Sequence, residues 1–261
     1  MFSQREEKGG VKMSSSAKII RVFSARACAA PVEKAAQLFY TRTGIEVKID
    51  VCSRHCARPE AEEATGTTGG DDFLLEIADA GIHDLAIAGA KYLLDDGEVK
   101  GIVKRGQTRI IAFRRSAIIV PVGNPANIHS LSDMAKDGMR IAISVIDCLK
   151  GMREDLSART GLLASISRNI TFRANGCVAL VEAVAEHKVD AGFGWDAFKH
   201  LSPDRIEIVK LSPEQEIWRA TCVGLLSFSK HQDEAVNFMN FLTAKAALSC
   251  YEEYGWTVLW D

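Results

Sequence analysis

The sequence predicts an α/β chain of two Rossmann-like lobes joined by two crossover strands. Three observations carry that prediction. Short apolar runs alternate with longer amphipathic stretches, the rhythm of βα units around a mainly parallel sheet. Two runs, Ile110–Val122 and Ile217–Ser229, are too long for that rhythm and suit strands that pass from one lobe to the other. Between them the βα rhythm restarts, so the chain leaves one lobe, builds a second and returns. The boundaries that follow are 1–17 as a disordered N-terminal segment, 18–112 plus 226–261 as lobe 1, and 113–225 as lobe 2. The ligand cleft is expected between the lobes, where loops at the carboxyl ends of both sheets face each other.

In chain order, Lys18–Phe23 reads as a strand and Pro31–Thr43 as a helix opened by proline and stopped at Gly44. Ile45–Val51 alternates as a second strand, and Thr65–Asp72 reads as a flexible loop by composition. Asp72–Ala80 is a helix ended by Gly81, Asp84–Ala88 a third strand, and Tyr92–Asp95 a short helix running into Gly97. Beyond the first long run come helix Ser130–Lys136, strand Arg140–Ser144, helix Leu149–Thr160 and a brief strand Ile170–Phe172. Helix Gly176–His187 and strands Asp190–Trp195 and Ile206–Val209 follow. After the second long run the chain is helical over Asp233–Leu242 and Ala244–Tyr254, closing on Gly255-Trp256-Thr257.

At 261 residues the chain can bury a core for two modest lobes. Its 47% hydrophobic and 25% charged residues are ordinary for a globular protein. A net charge of −2 gives no global drive toward nucleic acid or a membrane surface. No stretch approaches the roughly 18 apolar residues of a membrane span. Met1–Lys18 is polar and lacks an apolar h-region, and Ile19–Phe23 is broken by Arg21. As given the chain therefore reads as cytoplasmic, whereas one whose native leader had been removed would be periplasmic or extracellular.

Of seven cysteines, five (Cys28, Cys52, Cys56, Cys148 and Cys177) fall just after a predicted strand or at a helix start. In doubly wound lobes those loops share one edge, so all five are expected to face the cleft as metal ligands. Cys148 and Cys177 are expected at helix N-termini, where the dipole and free N–H groups favour the thiolate. Soft thiolates select zinc, copper(I) or iron–sulfur centres, and thiols from four loops exceed what one small ion needs, which leans toward a cluster. The plainer alternative for each is a buried small residue, and for Cys52 and Cys56, which flank His55, a disulfide. Cys222 in the return strand and Cys250 in the last helix read as structural. Arg26, Arg54, Arg58, Lys150 and Arg173 interleave with the thiols. Each alone suits a solvated surface; together they would favour an anion, as do helix N-termini.

Enzyme signatures are weak. There is no P-loop, His-Glu-x-x-His or Gly-x-Ser-x-Gly. Gly192-Phe193-Gly194-Trp195-Asp196-Ala197 matches Gly-x-Gly-x-x-Ala after a strand, but the element that follows is too short for a dinucleotide-binding helix. The pairs Glu62-Glu63, Asp71-Asp72 and Asp95-Asp96 read as solvated ends, so no acid/base pair stands out.

Several phrases, in order, resemble the molybdate/tungstate-type solute-binding proteins of ABC transporters. They are Ile20-Arg21-Val22-Phe23-Ser24-Ala25, Gly44-Ile45-Glu46-Val47, His83-Asp84-Leu85-Ala86-Ile87, Leu180-Val181-Glu182 with Val189-Asp190-Ala191-Gly192-Phe193, and Tyr254-Gly255-Trp256-Thr257. The resemblance implies the type II periplasmic-binding-protein fold, a non-enzymatic role and an ABC permease as partner. It also implies ligand loops rich in Ser and Ala. Here those loops read Ser24-Ala25-Arg26-Ala27-Cys28, Cys52-Ser53-Arg54-His55-Cys56, Ser144-Val145-Ile146-Asp147-Cys148 and Asn175-Gly176-Cys177. The ligand-binding set expected from them is Ser24, Arg26, Ser53, Arg54, Ser144, Lys150 and Asn175. Trp195 joins it, near where the family places a ligand-contacting tyrosine.

The expected function is thus a non-enzymatic solute-binding-type protein that holds an anionic metal-containing ligand, a soft metal ion or iron–sulfur-type cluster, by thiolates in the cleft. One alternative is a conventional molybdate- or tungstate-type importer component using Ser24, Ser53, Ser144 and backbone N–H groups. Another is a ligand-sensing domain acting through a partner. The expected partners are a small inorganic or metal-containing ligand and an ABC permease or metal-delivery protein, with no nucleic acid and no membrane span.

Overall fold

Strand β1 (Ile19–Ser24) shows how this sequence makes its sheet. Ile20, Val22, Phe23 and Ser24 are all buried, because β1 is hydrogen-bonded on both sides and covered on both faces. The computed structural model of the chain describes residues 18–52, 69–145 and 147–259. The remaining strands are β2 (Glu46–Val51), β3 (Leu85–Ala88), β4 (Val103–Pro121), β5 (Ile141–Ser144), β6 (Ile170–Ala174), β7 (Ala191–Trp195), β8 (Ile206–Lys210) and β9 (Trp218–Leu226). Their order is β2-β1-β3-β9-β4-β7-β5-β6, with β8 also on β4. Wholly apolar β3 and β7 lie inside and are buried at every position, while outermost β2 is mostly half-buried and β6 alternates between half-buried and exposed up to buried Ala174.

The two long runs are the crossover strands the sequence predicts. β9 runs antiparallel to β3, and β4 antiparallel to β9 from Val103 to Arg115. From Ser116 onward β4 pairs instead with β7 and β8. One continuous strand therefore belongs to both halves, and its change of partner falls between Arg115 and Ser116. Ser116 is fixed there twice, through Ile217 N–H to its Oγ at 2.9 Å and its own N–H to the Ile217 carbonyl at 2.9 Å. The helices at Ala29–Thr43, Gln232–Leu242 and Lys245–Glu253 close the outer face of the first half, with Phe39 against Phe238 at 5.0 Å between ring centroids. Among the described residues no helix is long and apolar enough to cross a membrane.

Four local expectations are corrected. Helix Gly69–Ala80 begins within the stretch read as a loop, anchored by Phe73, Leu74 and Ile77, which are all buried at helical spacing. Helix Lys91–Val99 runs through Gly97 rather than ending there. A Cβ at Gly97 would stand 2.7 Å from Val103 Cγ2, so the glycine serves close packing and not a stop. The stretch read as helix Leu149–Thr160 is a 3-10 turn, Asp147–Leu149, followed by helix Met152–Thr160, because Gly151 takes φ 73° between them. A further short helix, Leu163–Arg168, has no counterpart in the sequence pattern.

The Gly-x-Gly-x-x-Ala phrase is likewise explained by packing. It is followed by a 3-10 helix, Asp196–Leu201, and a Cβ at Gly194 would lie 2.8 Å from Ile119 Cγ1 and 2.9 Å from Phe198 Cδ2. Gly194→Ala should therefore destabilise the fold by about 1–3 kcal/mol through overpacking. Urea denaturation measures it, and an unchanged midpoint would refute the close-packing account.

Candidate functional site

Four loops converge where β4 changes partner. The 3-10 turn Arg26–Cys28 follows β1, Cys52 follows β2, the turn Asp147–Leu149 carries Cys148, and Cys177 opens the helix Cys177–Ala185. Backbone hydrogen bonds hold the first two in place, from Cys52 N–H to the Ser24 carbonyl at 3.0 Å and from Ala25 N–H to the Ile87 carbonyl at 2.9 Å. Together with Phe73, Gly89, Leu93 and Arg114 these loops line a pocket with a cavity of about 20 Å³. Cys28, Cys52, Cys148 and Cys177 all face it.

Arg114 is the residue that sequence reasoning missed. It projects from β4 with no solvent exposure, and its Nη2 donates to the Gly89 carbonyl. Its Nε and Nη1 have no hydrogen-bond partner. The guanidinium lies over the rings of Trp195 (5.1 Å) and Trp256 (5.8 Å). Gly89 makes this approach feasible, since a Cβ there would fall 2.5 Å from Arg114 Nη2. Arg219 of β9, directly opposite Arg114 in register, stacks on the same Trp195 ring at 5.6 Å and on Tyr92 at 5.6 Å. Arg219 has its own compensation, donating to the Cys148 carbonyl at 2.7 Å and pairing with Asp155 at 3.6 Å. Among the described residues Arg114 has no carboxylate partner.

Sulfur takes that place. Cys148 Sγ lies 3.5 Å from Cys177 Sγ and accepts from the Trp195 indole N–H at 3.3 Å. The hydrogen bond with Cys177 holds the Cys148 thiol well below the ordinary range against the pull of burial, and Arg114 and Trp195 add to the effect. Burial works against the charge of Arg114, but Cys148, Cys28 and Cys177 around it outweigh that and raise its pKa. Cys28 behaves oppositely: burial pushes it up to about 11. Cys148 therefore owes its thiolate character to its neighbours and not to a helix N-terminus, since its turn is separated from the next helix by Gly151.

The other expected residues are placed as follows. Arg26 stands exposed at the pocket rim, its Nη2 donating to the Cys52 carbonyl at 3.3 Å. Trp195 is fully buried and backs the pocket. Ser24 is buried with its hydroxyl turned to the Ala25 carbonyl at 3.1 Å. Ser144 and Asn175 sit at the ends of their strands outside the lining, and Lys150 and Arg173 are exposed. Ser53, Arg54, Cys56, His55 and Arg58 lie outside the described residues. Cys222 and Cys250 are buried and donate weakly to the Ala220 and Ala246 carbonyls, away from the lining. Among the described residues no group of three or more His, Cys, Asp or Glu stands close enough to hold a metal ion. The guanidinium of Arg114 lies among the thiols instead of a shared centre.

The thiol asymmetry is measurable. Ultraviolet thiolate absorbance should show one thiol titrating well below the usual ~8.5, lost in Cys148→Ser and moved upward in Arg114→Met. Because the folded pKa is depressed, this group stabilises the fold fully above the unfolded value, and that contribution is lost as pH falls toward the folded pKa. Titration of all thiols at or above ~8.5 would refute the assignment.

The sequence matches the model of the bacterial extracellular solute-binding protein family over residues 20–257. PEB3 with L-phospholactate bound has a TM-score of 0.75 and 18% identity over 92% of this chain and 100% of that one. The periplasmic molybdate-binding protein of Azotobacter vinelandii has a TM-score of 0.70 and 16% identity over 92% of this chain and 100% of that one. The sulfate-binding protein SubI of Mycobacterium tuberculosis H37Rv has a TM-score of 0.75 and 13% identity over 92% of this chain and 86% of that one. No curated protein sequence matches the chain. With one strand shared between two α/β halves and the family model matched across nearly all of its length, the chain belongs to the bacterial extracellular solute-binding protein family and has the type II periplasmic-binding-protein fold.

Proposed function

We propose that the chain is the capture component of an ABC importer and that it takes an anionic, thiophilic, metal-containing solute in the pocket around Arg114. The observation that carries this reading is the fully buried guanidinium with two unpartnered N–H groups in a pocket lined by four cysteines. Cys148 offsets part of the charge of Arg114, but each orphaned donor still costs about 1–3 kcal/mol. A bound anion removes that cost. Four sulfur atoms favour a soft centre within that anion. The family's extracellular description supports a location outside the cytoplasm, the second of the two that the N-terminus leaves open. It also supports an ABC permease as partner.

A second reading, a conventional oxyanion carrier, draws support from the phospholactate, molybdate and sulfate named for the structural neighbours. Both readings use Arg114, and the cysteines separate them. Anaerobic isolation followed by metal and sulfide analysis, with calorimetry against molybdate, tungstate and sulfate, tests the choice. Arg114→Met should weaken ligand binding about 100-fold, from the loss of charge-assisted hydrogen bonds. Cys148→Ser should abolish capture of a thiophilic species. Metal-free protein whose molybdate binding is indifferent to Cys148→Ser would leave only the oxyanion reading.

A further inference from the structure

We infer that Cys148 and Cys177 form a two-thiolate site for a single monovalent soft metal ion, represented by copper(I), whose negative bis-thiolate complex is neutralised by Arg114. This deepens the proposed capture of a metal-containing anion and rests on it, since the anion here is the complex itself.

Geometry comes first. The two sulfur atoms are 3.5 Å apart and arrive from different elements, a 3-10 turn and a helix start. The Trp195 indole N–H, donating to Cys148 Sγ at 3.3 Å, orients one of them. The cavity of about 20 Å³ is room for one particle near the size of a water molecule, for which ~10–15 Å³ suffices. A four-iron cluster is far larger.

Charge then selects the ion. Two thiolates bring two negative charges, a monovalent ion returns one, and Arg114 returns the other, so the buried site sums to zero. A divalent ion on the same two thiolates makes a neutral complex and leaves the buried guanidinium without a counter-charge, a penalty of several kcal/mol. The unpartnered Nε and Nη1 of Arg114 supply the N–H groups that an anionic thiolate complex accepts from. On binding, Cys148 enters as the thiolate its neighbours already favour and Cys177 releases its proton to solvent, two metal–sulfur bonds form, and no atom changes oxidation state.

The test is an anaerobic titration of the full reduced chain with copper(I) against a chromophoric copper(I) chelator. One ion per chain should bind, with a thiolate-to-copper charge-transfer band. Cys148→Ser and Cys177→Ser should each weaken it at least roughly 100-fold, since even groups one layer beyond a metal's ligands are worth about 10–100-fold. Cys250→Ser should bind as the unaltered chain does. Arg114→Met should weaken copper(I) and narrow its preference over zinc(II). Should a serine variant fail to fold, maleimide mapping of the unaltered chain replaces it, with copper(I) expected to protect Cys148 and Cys177 most. No copper(I) binding, binding indifferent to Cys148, or zinc(II) held as tightly would overturn the inference. Iron with acid-labile sulfide in protein isolated without oxygen would overturn it too, yet leave capture of a metal-containing anion standing. Molybdate bound without cysteine dependence would remove both.

Discussion

A guanidinium without solvent sits where the one strand shared by both halves changes partner, and much of the surrounding sequence is arranged to tolerate it. Arg114 and Arg219 are direct register neighbours on adjacent antiparallel strands, so their side chains leave the same face. Like charges so placed repel. Both guanidiniums lie over the Trp195 ring, and Arg114 also contacts Trp256 and Arg219 contacts Tyr92. Cation–π contacts are worth roughly 0.5–2 kcal/mol each, which is less than the several kcal/mol that a buried unpaired charge costs. The aromatic stack eases the burial of Arg114 without cancelling it. The remainder falls to the sulfur atoms facing it and to whatever enters the pocket.

That demand propagates outward. Trp256 can lie over Arg114 because its indole N–H donates to Thr221 Oγ1 at 2.9 Å and because Phe113 and Thr257 bridge, tying the C-terminal segment to β4. Away from the pocket the first half is pinned by polar contacts. Asp84 accepts from the Arg21 N–H at 2.9 Å and from the Ser229 hydroxyl at 2.7 Å, joining β1 to the segment after β9. Asp50 of β2 accepts from Arg21 Nη2 at 2.6 Å and lies 3.0 Å from His83 Nε2, and the His83 ring stands edge-on to Phe23. These contacts tie β1 to β2 and to the segment after β9, and the turns carrying Cys28 and Cys52 follow those two strands. The thiols are delivered by a rigid sheet edge, and the positive charge by the strand that crosses between halves.

Strongly periodic elements are legible in the sequence alone. Both crossover strands, the helix stopped at Gly44 with φ 71° and the C-terminal helices follow from pattern and punctuation. Gly97 misleads because, in one dimension, a glycine that stops a helix looks the same as one that permits a close contact. The gathering of Cys28, Cys52, Cys148 and Cys177 is legible from their places after strands, since loops at one sheet edge must converge. Arg114 shows in the sequence only as an interruption of an apolar run. Its neighbour Arg115 points to the opposite face, half-buried against Asp196 and Glu216, so of two adjacent arginines only one is taken inside, and the sequence pattern alone does not say which. Ser24 illustrates the opposite case: its position beside the ligand loop is right, but its hydroxyl satisfies the neighbouring carbonyl of Ala25.

On the proposed reading, a lining of thiols sets what the pocket can select. An oxyanion brings several acceptor oxygens, each needing a donor once dehydrated, and S–H is a weak donor. Around Arg114 the pocket offers two strong N–H groups and otherwise mostly sulfur and apolar carbon. A hard oxyanion entering such a space would leave oxygens unsatisfied, at roughly 1–3 kcal/mol for each. A soft centre gains bonds to the same sulfur atoms and presents its negative charge to the guanidinium. Selectivity is a difference between two affinities, so on the proposed reading the thiols would act twice, by binding what is soft and by failing what is hard. Arg114 would supply the attraction common to both, which is why substitution of the cysteines, and not of the arginine, separates the two readings.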